Sequence, residues 1–139
     1  MSFNKIKIEA TVVGDHKTIW NAWTEPDHIT KWNFASDDWC CPSAENELKV
    51  GAKYKARMEA KDGSFGFDLE AVYSEVVPYK KLTFKMTDGR VASTTFEDLR
   101  GKTKVTTVFD AEKQNPEEMQ KNGWQAILNN FKKYAEQIK

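Results

Sequence analysis

The sequence predicts an α+β fold in which a curved antiparallel sheet wraps a long C-terminal helix, with two short helices after the first strand. Three observations predict it. Residues 52–61 alternate apolar and charged side chains without error, as a strand with one buried face does. An apolar stripe recurs at helical spacing through the last 20 or so residues. Between the first alternating segment and the rest stand two short stretches with helix-start signals. A length of 139 residues suits one domain, taken as residues 1–139. A chain of that size buries roughly two thirds of its unfolded surface, enough for a core without covalent staples.

The first strand is read from Ile6, Ile8, Ala10 and Val12, which alternate with Lys7, Glu9 and Thr11. Gly14-Asp15 breaks it, and Asp15 is placed to cap a helix carrying Ile19, Trp20 and Trp23 on one side. Thr24-Glu25-Pro26-Asp27 starts a second helical turn, with Pro26 near its beginning and Ile29 and Trp32 apolar. From Asn33 to Lys49 no period is visible, so this segment is expected to be a long, partly buried loop holding Phe34, Trp39, Cys40 and Cys41.

Asp62-Gly63 then predicts a hairpin with a two-residue turn. If Lys61 pairs with Ser64, Met58 faces Phe67, Ala56 faces Leu69 and Tyr54 faces Ala71. On the other face Arg57 meets Asp68 and Lys55 meets Glu70, opposite charges across the strands. Further strands are expected through Tyr73–Val77, Lys81–Thr87, Val91–Leu99 and Lys102–Ala111, with turns at Asp88-Gly89 and Arg100-Gly101. A two-residue turn at Asp88-Gly89 would set Leu82, Phe84 and Met86 against Val91, Ser93 and Thr95, whereas Phe96 requires the opposite phase. A bulge or a longer loop must therefore shift one strand by a residue.

For the last helix, Asn115 is the expected cap, Pro116 the first helical residue, and Glu118 follows three after the cap. Trp124, Ile127, Leu128, Phe131, Ala135 and Ile138 form its apolar stripe. Glu117 and Glu118 at the start and Lys132, Lys133 and Lys139 near the end suit the helix dipole. Such a helix spans roughly 33 Å and must cross the sheet rather than sit at one edge of a domain this small.

Lys+Arg and Asp+Glu each number 21, so no overall field recruits nucleic acid or anionic membrane. No stretch approaches the roughly 20 apolar residues of a membrane span, and Met1–Lys7 lacks the apolar run of a secretory signal. Cys40 and Cys41 are adjacent and cannot form an unstrained disulfide, which fits reduced thiols in a cytoplasmic protein.

The order of elements resembles the helix-grip fold of the START-related (SRPBCC) superfamily. Within it, the chain resembles the family named for the C-terminal domain of the activator of heat-shock protein 90 ATPase. The residues that carry the likeness are Trp20-Asn21-Ala22-Trp23-Thr24-Glu25-Pro26, Trp32, Leu48-Lys49-Val50-Gly51, Asp62-Gly63, Pro78, Leu82 and Gly123-Trp124. The resemblance implies a cavity between helix and sheet that takes an apolar or amphipathic small molecule. It does not imply a single activity, because one such scaffold hosts carriers, cyclases and co-chaperones.

The alternation turns Ala52, Tyr54, Ala56, Met58, Ala60, Phe67, Leu69 and Ala71 to one face of the hairpin. The residues expected to line a ligand site are Phe34, Trp39, Tyr54, Met58, Phe67, Leu69, Phe84, Trp124, Leu128 and Phe131. The Phe34–Trp39 loop is the expected lid, and Tyr54 or the thiols are expected to orient a polar end of the ligand. The hairpin carboxylates Glu59, Asp68 and Glu70 point outward. His16 and His28, the two histidines, have no partner at a catalytic or metal-binding spacing. Asp37, Asp38, Cys40 and Cys41 are better read as loop residues than as a metal site. A binding module without cofactor or metal is thus the first expectation. A cyclase or hydrolase using the same cavity, and a chaperone-interacting module, are the alternatives.

Overall fold

The computed structural model describes residues 4–138. Met1–Phe3, part of the segment read against a secretory signal, and Lys139, read with the helix dipole, lie outside the described residues. Among the described residues, seven strands and three helices follow one another as β1 (Lys5–Val13), α1 (His16–Thr24), α2 (Pro26–Trp32), β2 (Trp39–Asn46), β3 (Lys53–Ala60), β4 (Gly66–Val77), β5 (Lys81–Met86), β6 (Val91–Asp98), β7 (Lys102–Asp110) and α3 (Glu117–Ala135). The strands form one antiparallel sheet in the order β1-β7-β6-β5-β4-β3-β2. The sheet curls around α3, as expected.

In β1, Ile6, Ile8 and Val12 are buried, and Gly14 ends the strand. Asp15 caps α1 by accepting from the Lys17 and Thr18 amides. Its carboxyl sits below the usual range, chiefly because of the Thr18 side-chain and backbone bonds. Pro26 opens α2, whose Ile29 and Trp32 are buried. These two short helices carry the chain from one edge of the sheet to the other.

The segment read as a long loop contains a strand. Trp39–Asn46 pairs with β3 at the sheet edge, and its register shifts between Cys40 and Ser43. That irregularity spans Cys41 and Pro42, and it breaks the alternation by which a strand is recognised. Of that segment, residues 33–38 and 47–49 remain loop. The Asn130 side chain donates to the Trp32 carbonyl (2.8 Å) and so ties the loop's start to α3.

The β3–β4 register is the expected one: Met58 faces Phe67, Ala56 faces Leu69 and Tyr54 faces Ala71. The turn is wider than two residues. The ladder stops at Glu59 and Gly66, and Ala60 N donates to Phe65 O (2.9 Å). Lys61–Ser64 then loop out, with Gly63 N donating to Ala60 O (3.0 Å). Of the two expected charge pairs, Arg57 meets Asp68 (3.6 Å), while Glu70 takes Lys53 (3.2 Å) in place of Lys55.

The expected phase shift occurs at the β5–β6 turn. Met86 N donates to Arg90 O (2.7 Å) around the three residues Thr87-Asp88-Gly89, and Gly89 takes φ +96°. Leu82 therefore faces Thr94, Phe84 faces Ala92, and Phe96 turns into the core.

The 19-residue helix α3 spans about 28 Å, less than expected because it starts one residue later, at Glu117, and ends at Ala135, before Ile138. Pro116 is the cap position, with extended ψ and no side-chain cap bond. Asn115 is therefore not the cap. The entry is held by Gln120, whose amide accepts from Glu112 N (2.8 Å) and donates to Glu112 O (3.0 Å) and Asn115 O (2.8 Å). Within the sheet, the α3 backbone approaches β1 most extensively.

Candidate functional site

Between α3 and the middle of the sheet lies a cavity of about 350 Å³. The sheet contributes Tyr54 and Met58 from β3, Phe67, Leu69 and Tyr73 from β4, Leu82, Phe84 and Met86 from β5, and Ala92 and Thr94 from β6. Trp124, Ile127 and Leu128 come down from α3, and Trp23, Trp32 and Asn33 close the end nearest the short helices. At the other end, Arg90 after the β5–β6 turn and Glu112, Asn115 and Gln120 at the entry to α3 join the wall. Phe67 lines the cavity and is 41% exposed, which makes it part of the rim.

Seven of the ten residues expected at a ligand site surround this space: Tyr54, Met58, Phe67, Leu69, Phe84, Trp124 and Leu128. Phe131, Phe34 and Trp39 do not. Phe131 is fully buried one turn farther along α3, its ring edge-on to Trp23 and Trp32 (4.9 Å each), so it belongs to the helix junction. Phe34 lines a separate groove of about 200 Å³ beside Ala126, Asn129 and Asn130. Trp39 lies in β2 and leans on Phe65 and Phe67 (6.0 and 6.2 Å). The Phe34–Trp39 segment is thus no lid over the cavity. Its start is tied to α3, and its end is an edge strand.

Most polar groups in the wall already have partners. Asn33 donates to the Tyr54 hydroxyl (3.3 Å), and Tyr73 donates to Asn46 Oδ1 (2.7 Å). The hydroxyls of Thr94 and Thr107 bond each other (2.8 Å). Burial pushes the Tyr54 phenol far above its ordinary range, and Tyr73 and Cys41 nearby push the same way. Burial likewise raises Tyr73. Both remain neutral hydroxyls at any physiological pH. The Tyr54 hydroxyl proton has no acceptor among the described residues.

Arg90, Tyr73, Trp23, Trp32, Asn33 and Glu112 are lining residues that sequence reasoning missed. Tyr73 had a usable signal, since it continues the inward phase of Leu69 and Ala71. Arg90 and Glu112 lie outside any periodic run, and only the folded turns bring them to the wall.

The groups considered for chemistry lie elsewhere. Glu59, Asp68 and Glu70 pair with Arg57 and Lys53 and do not line the cavity. His28 Nδ1 meets the Tyr134 hydroxyl (2.6 Å) and its Nε2 lies 3.5 Å from Glu25. His16 faces Asp98 (3.4 Å). Asp38 accepts from Ser36. Burial pushes the Cys41 thiol up to about 11, and it donates to Ser43 O (3.5 Å). Among the described residues, no three His, Cys, Asp or Glu side chains are grouped to hold a metal ion.

The family described as "Activator of Hsp90 ATPase homolog 1-like protein" matches residues 15–136 by its sequence profile. The chain belongs to this family. An AHSA1-like protein from Aeromonas hydrophila, solved in solution, is 41% identical and superposes with a TM-score of 0.90, covering 96% of this chain and 92% of its own. A protein from Cytophaga hutchinsonii is 42% identical with a TM-score of 0.82, covering 95% and 92%. A crystal structure from Chromobacterium violaceum shares the fold at 20% identity, with a TM-score of 0.86 over 97% and 99%. No match was found among curated proteins. The helix-grip fold of the AHSA1-like family generally suits a ligand-binding module. No helix of the described residues is long and apolar enough to cross a membrane.

Proposed function

We propose that this AHSA1-like chain is a binding module that holds one apolar or amphipathic small molecule between α3 and strands β3–β6. The observation that carries the reading is the cavity itself. Its volume of about 350 Å³ lies at the small end of the roughly 300–1,000 Å³ of ligand pockets. Its walls are aromatic and aliphatic, and most of its polar groups are hydrogen-bonded to each other. Burial of apolar ligand surface then supplies the driving force, and the Tyr54 proton can orient one acceptor on the ligand.

The test is calorimetric titration with decan-1-ol, a neutral apolar probe, alongside native mass spectrometry of whatever co-purifies. Met58→Trp and Leu69→Trp fill the wall from two strands. At least one such folded variant should lose about tenfold or more in affinity. Unchanged affinity in both, with intact thermal transitions, rejects this site.

One observation favours a second reading, an enzyme of the cyclase or hydrolase type. Glu112 brings a carboxylate to the wall, with Oε1 accepting from Asn115 N (2.7 Å). If a co-purified compound is converted by the wild type and not by Glu112→Gln, that reading replaces the first. The family's description also makes heat-shock protein 90 the partner to try in a pull-down.

A further inference from the structure

Arg90 is the one cationic side chain that the cavity wall contains among the described residues. Its side chain is only 17% exposed, although it follows a turn. Asp88 organises it twice: Oδ1 accepts the Arg90 amide (3.1 Å) and Oδ2 accepts Nε (2.7 Å). That bond occupies one corner of the guanidinium. The two terminal nitrogens have no hydrogen-bond partner among the described residues, and no buried nitrogen or oxygen there is left wholly without one. Both nitrogens therefore keep accessible surface, on a residue that lines the cavity.

Arg90 shares the wall with Met86, Ala92 and Trp124, and a ligand that displaces water from its guanidinium there must use the donors to offset the lost solvation. A planar fork with two parallel N–H groups matches a carboxylate, because both oxygens are engaged at once. The position suits an amphiphile. Arg90 follows the β5–β6 turn and shares its part of the wall with Glu112, Asn115 and Gln120, while Tyr73, Leu82, Trp23 and Trp32 line the other, largely apolar end, where Asn33 is bonded to the Tyr54 hydroxyl.

The neighbouring charges limit what the fork can hold. Asp88 is already engaged, and Asp110 is occupied by Lys5 and by the amide of Val91 (2.8 Å). Glu112 lies in the same wall but is not within ion-pair distance of Arg90. A carboxylate there repels a second negative charge on a ligand. From these groups we infer that the ligand of this cavity is a carboxylate monoanion with an apolar tail, held at its head by Arg90. The inference rests on the cavity being a ligand site and adds the chemical class of its ligand.

The experiment is calorimetric titration of wild type, Arg90→Gln and Arg90→Lys with decanoate, decan-1-ol and decyl phosphate near neutral pH. Thermal unfolding is recorded for each variant. In the wild type, decanoate binds more tightly than the alcohol and than the phosphate. Arg90→Gln lowers decanoate affinity about tenfold or more and leaves decan-1-ol within about twofold. Arg90→Lys, which keeps the charge and loses the fork, falls between. If decanoate and decan-1-ol change together or not at all, the anchoring role is overturned while the cavity reading stands. Tighter binding of decyl phosphate overturns the carboxylate assignment. If neither decanoate nor decan-1-ol binds the wild type, the cavity reading fails and the anchor with it.

Discussion

The rings of Phe109 and Trp124 stack face to face, 3.8 Å between centroids and 7° from parallel. Phe109 is fully buried in β7, whereas Trp124 in α3 has one face on the sheet and lines the cavity. The stack therefore sets how far α3 stands from the strands. Phe109→Ala should cost about 3–5 kcal/mol of stability. Trp124→Ala, although it deletes a larger side chain, should cost less, because part of that ring already faces open space. Urea denaturation of both variants is the check, and an equal or larger loss for Trp124→Ala would contradict this account of the wall.

The start of α3 depends on Gln120 rather than on the residue in the usual cap position. Gln120→Ala removes three hydrogen bonds to the Glu112–Asn115 backbone and should cost about 2–3 kcal/mol. Asn115→Ala should cost less than half of that. Equal losses would restore Asn115 as the cap.

Gly123 lies inside α3, and a methyl group added there meets nothing within 4 Å. Gly123→Ala should stabilise the protein by about 0.5–1 kcal/mol through helix propensity alone. A raised thermal midpoint is expected, and a lowered one would mean that the helix needs a bend at this point.

Alkaline pH should weaken the fold. Cys41 is raised to about 11 in the folded protein from an ordinary value of 9.0, chiefly by burial, and burial raises Tyr54 and Tyr73 as well. The unfolded chain releases these protons first: the Cys41 contribution is complete below about pH 9 and is lost as the pH climbs toward 11, while those of Tyr54 and Tyr73 begin to be lost only above about pH 10. The denaturation midpoint should fall between about pH 8 and about pH 10.5, with a shallower fall in Cys41→Ala. A flat profile would show that the thiol is not shielded. For the same reason iodoacetamide at about pH 8 should modify Cys40 well before Cys41, as read by peptide mass spectrometry.

How much of this was legible follows from how the signals arise. The β3–β4 register could be read because residue size on one face and charge on the other gave the same answer. Edge strand β2 could not, because its register breaks around Cys41 and Pro42. The cap at Asn115 followed a correct pattern that the fold does not use. Gln120 reaches back five and eight residues to do the work, and a long side chain folded onto the backbone has no fixed spacing. The site was partly visible, since inward phase alone found Tyr54, Met58, Phe67 and Leu69. Arg90, between the Asp88-Gly89 turn and the strand from Val91, carried no signal of its own, and its place in the wall depends on the three-residue length of that turn.

That length behaves like a reading frame. The residues Thr87-Asp88-Gly89 decide which of two interleaved sets in β6 is read inward: Ala92, Thr94 and Phe96, or Val91, Ser93 and Thr95. Loss of a single codon here would exchange one set for the other without altering any residue of the strand. It would expose Phe96 to water and rewrite one wall of the cavity in a single event. A change of loop length is therefore a route to a new lining on this scaffold, with no substitution in β6 itself.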